Sequence, residues 1–205
     1  MKINRDSFRS GSLILLLGIS VAHVFAAQHE SNEKELAPRT LEMLDVGYKL
    51  PIEIVAVRNL RKKKHWLRDL ELEIRNVSTK PIYGVYFTLL LPDDKAYNGI
   101  QYGCYLEYGR SELLHPKDHA SASDKFFGPG ETVIIKADKG IWEGYEIRIT
   151  NENVPEQASY NIRMIVTAIN FGDGTGFING GAPYPVDPPY VARPQRYVRI
   201  PADSE

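Results

Sequence analysis

The sequence predicts an all-β protein, an antiparallel immunoglobulin-like β-sandwich of about seven strands. Three observations carry this expectation. In "RDLELEIRN", Leu70, Leu72 and Ile74 point one way while Asp69, Glu71, Glu73 and Arg75 point the other, the mark of a strand with one face in water. Short β-branched and aromatic runs recur along the chain, separated by clusters of Gly, Pro, Asn, Asp and Ser. No stretch carries a long helical period, a heptad or an internal repeat, which favours sheet packed on sheet. With 205 residues, 43% hydrophobic and 25% charged, the composition is that of an ordinary globular chain, and the length suits one domain with tails.

Residues 1–26 read as a signal peptide. Lys2, Arg5 and Arg9 form a basic start, "GSLILLLGISVAHVF" an apolar run too short for a spanning helix, and Val24 and Ala26 sit at the small-residue positions of a cleavage site before Ala27. No cysteine follows the apolar run directly, so a lipid anchor is not expected. The sequence therefore predicts an exported chain, periplasmic or extracellular, without a stable membrane span once the peptide is cleaved. The net charge is −1. Residues 1–26 carry a net +2, from Lys2, Arg5 and Arg9 against Asp6, which leaves −3 for the remainder. Such a chain has no general attraction for nucleic acid.

Residues 27–46 lack a strand period and are expected to be a flexible N-terminal arm. The sandwich is placed at 47–180. "LPIEIVAVRNLR" puts Ile52, Ile54 and Ala56 on one face, and "RKKKH" forms a polar hairpin tip before the alternating strand. "NVSTKP" is a turn of residues that bond their own backbone, closed by a proline. "IYGVYFTLLLP" follows, with Val85, Phe87, Leu89 and Leu91 on one face, and Asn98-Gly99 is a hairpin signal. "IQYGCYLEYG" is a strand interrupted by glycine, residues 109–128 a long polar loop, and "TVIIKA" a short buried strand. For "IWEGYEIRI" the period leaves strand and helical turn both open. "YNIRMIVTAINF" sets Tyr160, Ile162, Met164, Val166 and Ala168 on one face. Leu72, Phe87, Leu89, Val133, Met164 and Val166 are the expected core. In residues 181–205, prolines 183, 185, 188 and 189 preclude a central strand, leaving an extended Pro/Tyr/Arg-rich segment.

"LELEIRNVSTKPIYGVYFTLLLPD" resembles the first half of the small bacterial F-x-L-Y-D-type domains, through Asn76, Ser78, Phe87, Leu89 and Asp93. It departs from them in Leu91-Pro92, where that family places a tyrosine before its aspartate. Residues 50–180 also resemble a group of exported bacterial proteins that share N-V-S-x-K-P-I-Y and N-F-G-D-G-T-G-F stretches. Both resemblances imply a sandwich, and neither implies an activity.

No catalytic residue, cofactor or metal ligand is expected. "NFGDGTGF" lacks the lysine and following helix of a phosphate loop. It also lacks the several acidic ligands of a calcium hand, Asp173 being the only carboxylate between 157 and 186. It reads as a chain reversal in which Asp173 caps its own turn and Phe171 pairs with Phe177. His115, Asp118 and His119 read as a solvated loop, and Cys104, the only cysteine, as a buried small hydrophobe. Two surfaces are candidate partner contacts: Arg61, Lys62, Lys63, Lys64 and Trp66 at the basic tip, and Asp173 with Thr175 in the glycine loop. An exported address points to an envelope protein or polysaccharide as partner. A carbohydrate hydrolase with carboxylates gathered by the fold, and a calcium-stabilised module, are the alternatives.

Overall fold

The structure is a computed structural model that describes residues 38–45, 47–62, 64–95, 101–185 and 195–202. The signal peptide predicted at 1–26, most of the arm, Lys63, the Asn98-Gly99 turn and Pro188-Pro189 lie outside the described residues. What is described belongs to one compact unit, Ala37–Glu205. Among the described residues ten strands and two α-helices follow in chain order: β1 (Thr40–Asp45), β2 (Ile52–Arg58), α1 (Trp66–Asp69), β3 (Glu71–Asn76), β4 (Gly84–Lys95), β5 (Gln101–Tyr108), β6 (Thr132–Ile135), α2 (Lys139–Glu152), β7 (Asn161–Asn170), β8 (Gly176–Ile178), β9 (Ala182–Tyr184) and β10 (Arg196–Ile200).

The strands form two sheets. One runs β10-β1-β7-β4-β5, with β8 and β9 attached through β7, and the other runs β2-β3-β6. They share one core. Leu72, Ile74 and Ile135 of the smaller sheet pack with Val85, Phe87, Leu89, Ile162, Met164 and Val166 of the larger, the last six no more than 1% exposed. Five of the six expected core residues are thus fully buried. Val133 is only partly buried against the cluster, because β6 is an edge strand beyond β3.

Several expectations need correction. The larger sheet is not purely antiparallel, since β1 runs parallel to β7, pairing Leu41 with Ile162 and Met43 with Met164. β1 falls where a flexible arm was expected. Its apolar content is small, but Leu41 is 2% exposed and the strand is gripped on both sides, by β7 and by β10. The extended C-terminal segment joins the sheet through β9 and β10; Pro183 is tolerated in β9, which pairs only with β8 among the described residues. In β2 the register shifts between Ile54 and Ala56, so a bulge moves the inward position from Ala56 to Val57, 1% exposed. The hairpin tip is instead a longer connection with a one-turn helix, α1, which buries Trp66 and Leu67. "IWEGYEIRI" is helical: Asp138 accepts from the Gly140 amide at its start, and Asn153 closes it in the left-handed region. Its period was mute because only Tyr145 is buried along it, while Ile147 stands 60% exposed.

Candidate functional site

Two places gather polar side chains, one beyond each end of β3. The chain enters β3 from the 59–70 connection and leaves it into "NVSTKP". Five residue steps at about 3.3 Å each set the two ends roughly 17 Å apart.

The first place is built on two buried asparagines. Asn76, at the end of β3, donates to the Lys80 and Phe127 carbonyls at 2.8 and 3.1 Å and accepts from the Ser78 amide and hydroxyl at 2.9 and 2.7 Å. Asn170, at the end of β7, donates from Nδ2 to the carbonyls of Leu113, His115 and Asp118 at 3.2, 3.0 and 2.9 Å, and accepts from the Gly172 amide at 2.5 Å. Neither side chain is exposed at all. Asn76 adds a second donor to carbonyls already met by the Ser78 hydroxyl and the Ile82 amide, and Asn170 does the same for His115, which also accepts from the Asp118 amide. The long polar loop is pinned further along: Arg110 clasps Asp124 through Nε and Nη2 at 2.5 and 2.8 Å, and the Tyr86 hydroxyl donates to the Arg110 carbonyl. The Arg110 guanidinium and the Ser121 amide lower the Asp124 carboxyl to about 2.

"NFGDGTGF" rests on this frame. Gly172 and Gly174 have φ of 74° and 85°, Asp173 accepts from the Thr175 amide at 3.0 Å, and Phe171 meets Phe177 edge to face at 6.1 Å, as the sequence predicts. One partner was not predicted. Lys80 places Nζ 2.8 Å from Asp173 Oδ2 and 3.0 Å from Thr175 Oγ1, above the Phe171 ring. Partial burial works to raise the Asp173 carboxyl, but Lys80 and Thr175 outweigh it and hold it below the usual carboxylate range. The two conspicuous motifs of the sequence therefore close on each other. An ammonium occupies the side of Asp173 that a calcium ion would need.

The second place is a cleft of about 400 Å³ beside α1 and α2, lined by Trp66, Leu67, Tyr145, Ile149 and Val154, with Arg39, Lys64, His65, Glu146, Thr150 and Ser159 supplying polar groups. Its floor is fixed from behind. The Arg39 guanidinium lies 5.4 Å from the Trp66 ring and 5.1 Å from the Tyr160 ring, donates to the Lys62 carbonyl, and reaches Ser159 Oγ at 3.3 Å. Trp66 Nε1 donates to the Tyr145 hydroxyl at 3.3 Å, and the two rings meet edge to face at 5.7 Å. Burial raises the Tyr145 phenol, against the hydrogen bonds with Trp66 and Ser159, so its hydroxyl stays protonated. At the mouth, His65 Nδ1 and Glu146 Oε1 are 2.6 Å apart. His65 sits at φ 56°, a left-handed conformation uncommon for residues other than glycine.

The predicted contact residues divide between these places. Asp173 and Thr175 are at the first, already held by Lys80. Lys64 and Trp66 line the second, and Lys62 lends it a carbonyl, but Trp66 is not a surface aromatic: it is 3% exposed, drawn in by Leu67 and the Arg39 stack. The Lys62 ammonium is taken by Asp69 at 3.3 Å, whereas Arg61 and Lys64 are exposed. Arg39, His65, Tyr145 and Glu146 carried no motif; the only sequence signal was the clustering of cations around "HW". A third depression is acidic, lined by Asp93, Asp94 and Glu152. There Arg148 grips Asp94 at 2.5 and 2.7 Å and Glu152 at 3.2 Å. Among the described residues, no cluster of three or more His, Cys, Asp or Glu is placed to hold a metal, and no helix is long and apolar enough to cross a membrane. Cys104 is buried, and that burial pushes its thiol up to about 12, an inert setting. No protein family, curated protein or solved structure matches this chain.

Proposed function

We propose that this chain is an exported, non-enzymatic binding protein whose partner, a component of the cell envelope or the extracellular space, docks at the cleft beside α1 and α2. The cleft itself carries the reading. Its apolar floor is braced from behind by Arg39 and Ser159; Lys64, His65, Glu146 and Thr150 bring polar groups to its mouth, and its volume suits a small molecule or one anchoring group of a larger partner. Export rests on the basic start and apolar run within residues 1–26. Kinship with immunoglobulin-like sandwiches rests on strand order. The order β2-β3-β6 in one sheet and β5-β4-β7 in the other supports this reading, since it can be aligned with strands A-B-E and C′-C-F of that frame; β1, parallel to β7, departs from it.

The test is capture from a cell-envelope extract by the immobilised protein. Thr150, exposed on α2 at the cleft, is replaced by tyrosine to fill the mouth. Thr150→Tyr is expected to abolish capture and Lys80→Ala, at the other end of β3, to leave it intact. Equal capture by wild type and Thr150→Tyr would remove the cleft from the function. Glycan hydrolysis has one observation in its favour, the depression holding Asp93, Asp94 and Glu152. Release of reducing ends from envelope polysaccharide that disappears in Asp93→Asn would establish that alternative.

A further inference from the structure

In the acidic depression Arg148 is shared by Asp94 and Glu152, and Asp93 accepts from the Asn161 side-chain amide. At the loop end Lys80 is paired with Asp173 and Arg110 with Asp124. The cleft differs in having charge left over. In the 61–68 segment beside it the described cations are Arg61, Lys62, Lys64 and Arg68, His65 adds an imidazole, and Arg39 lies buried behind the floor. The carboxylates facing them are Asp69, which takes Lys62 and Arg68 at 3.3 and 2.9 Å, and Glu146, which takes His65. Lys64 lines the cleft and has no carboxylate within ion-pairing distance among the described residues. Below it the walls are apolar: Leu67 and Tyr145 are 1% and 2% exposed, and Ile149 and Val154 complete them.

We infer that the cleft takes a carboxylate-bearing amphiphile, with the carboxylate at Lys64 and the apolar tail over Trp66 and Leu67. This deepens the cleft reading of the function and rests on it. Three features select this chemistry. The partly exposed apolar walls, Ile149 and Val154, reward a hydrocarbon or aromatic tail in proportion to the area covered. Lys64, the lining cation with no carboxylate within ion-pairing distance among the described residues, sits at the mouth, where a charged head can stay partly hydrated, so the ligand is not asked to bury a charge. The remaining carboxylate at the mouth, Glu146, is turned toward His65 at 2.6 Å, which limits its repulsion of an incoming anion. A cationic amphiphile would instead meet the Lys64 ammonium, with Glu146, the carboxylate of the described lining, engaged by His65.

The experiment uses the full chain with Trp142→Phe, so that Trp66, the remaining tryptophan, reports from the cleft floor. Decanoate, decan-1-ol and decylamine are titrated below their aggregation limits while Trp66 emission is followed. Decanoate is expected to bind at least tenfold more tightly than the alcohol, and decylamine more weakly than either. Lys64→Ala should cut decanoate affinity about tenfold and leave decanol unchanged; Thr150→Tyr should abolish all binding. Unchanged circular dichroism and melting temperature verify that both variants, at exposed positions, remain folded. Equal affinity for decanoate and decanol, or indifference of decanoate to Lys64→Ala, would overturn the carboxylate assignment while leaving the cleft as a binding site. If none of the three ligands binds yet envelope capture still depends on Thr150, the amphiphile is wrong and the cleft reading stands. If capture is also indifferent to Thr150→Tyr, both fail.

Discussion

The two ends of β3 use similar residue types to opposite purposes. At the "NVSTKP" end, Asn76, Asn170, Lys80, Asp173 and Asp124 satisfy one another and the loop carbonyls around them. At the α1 end, the buried polar groups, Arg39 and Tyr145, brace a floor from behind, and Lys64 at the rim has no carboxylate partner among the described residues. The first end is a closed network, which rigidifies. The second is braced and open, the arrangement that a binding site needs. Dense local motifs thus mark the architecture, and the candidate site lies where the motifs are absent.

The harshest way to test that contrast is to damage what both ends share. Phe87 is 0% exposed between the sheets, so Phe87→Ala should cost about 3–5 kcal/mol, read as a drop in denaturant midpoint that appears equally in probes at either end. A loss confined to one end would mean that the sheets do not share a single cooperative core. Next comes a change that should separate the ends. Asn170→Ala removes the side-chain donor from the Leu113 and Asp118 carbonyls, while His115 keeps the Asp118 amide. With about 1–3 kcal/mol for each buried group left unsatisfied, less where water enters, a loss of roughly 3 kcal/mol is expected. Hydrogen exchange should rise first in residues 113–120, while Trp66 emission from the cleft stays native. Accelerated exchange around α1 instead would show the two ends to be coupled.

A smaller effect sharpens the comparison by steric means. A side chain at Gly172 would meet the Tyr83 ring at 2.6 Å and Ala120 Cβ at 2.7 Å, at φ 74°. At Gly174 it would meet only the His119 ring at 3.2 Å, at φ 85°. Gly174→Val should destabilise by at least about 1 kcal/mol from backbone strain, and Gly172→Val by more, because crowding is added to the same strain. Thermal melts decide the order. The reverse order would place the tight spot of the reversal at Gly174.

How much was readable in the sequence follows the same division. The inward faces of β3, β4 and β7 were legible because burial on one face imposes period two on the residues themselves. The capped reversal at Asp173 was legible because its bonds span two residues. β1 was not, since its burial depends on β7, about 120 residues away, and on β10 beyond that. Trp66 was misread for a related reason: basic neighbours suggested surface, but the ring is covered by Arg39, which comes from the far side of β2. Tyr145 and Glu146 were hidden inside a helix whose sequence barely distinguishes its faces. Sequence pattern reports local periodicity, and the cleft is assembled from three separated segments that are periodic in no common way.

The smallest expected effect falls on Asp173, the residue most like a ligand in the sequence. Asp173→Asn keeps a side-chain oxygen to accept the Thr175 amide and loses only the charge that faces Lys80. Both partners are about half exposed, at 48% and 46%, so the loss at pH 7 should be under about 1 kcal/mol. Its pH dependence is fixed in sign. The folded-state carboxyl lies below its unfolded value, so its contribution is complete above the unfolded value of about 3.9 and disappears as pH falls through the folded one. Wild type and variant should therefore differ slightly at pH 7 and converge in acid, both still losing the contribution of Asp124, whose carboxyl is lowered to about 2. With Lys80 already at the carboxylate, neither melt should respond to calcium or to chelator. A calcium-induced rise in wild-type melting temperature that Asp173→Asn abolishes would show that Lys80 yields its place to a metal, and the closed end of the molecule would then be a second binding site.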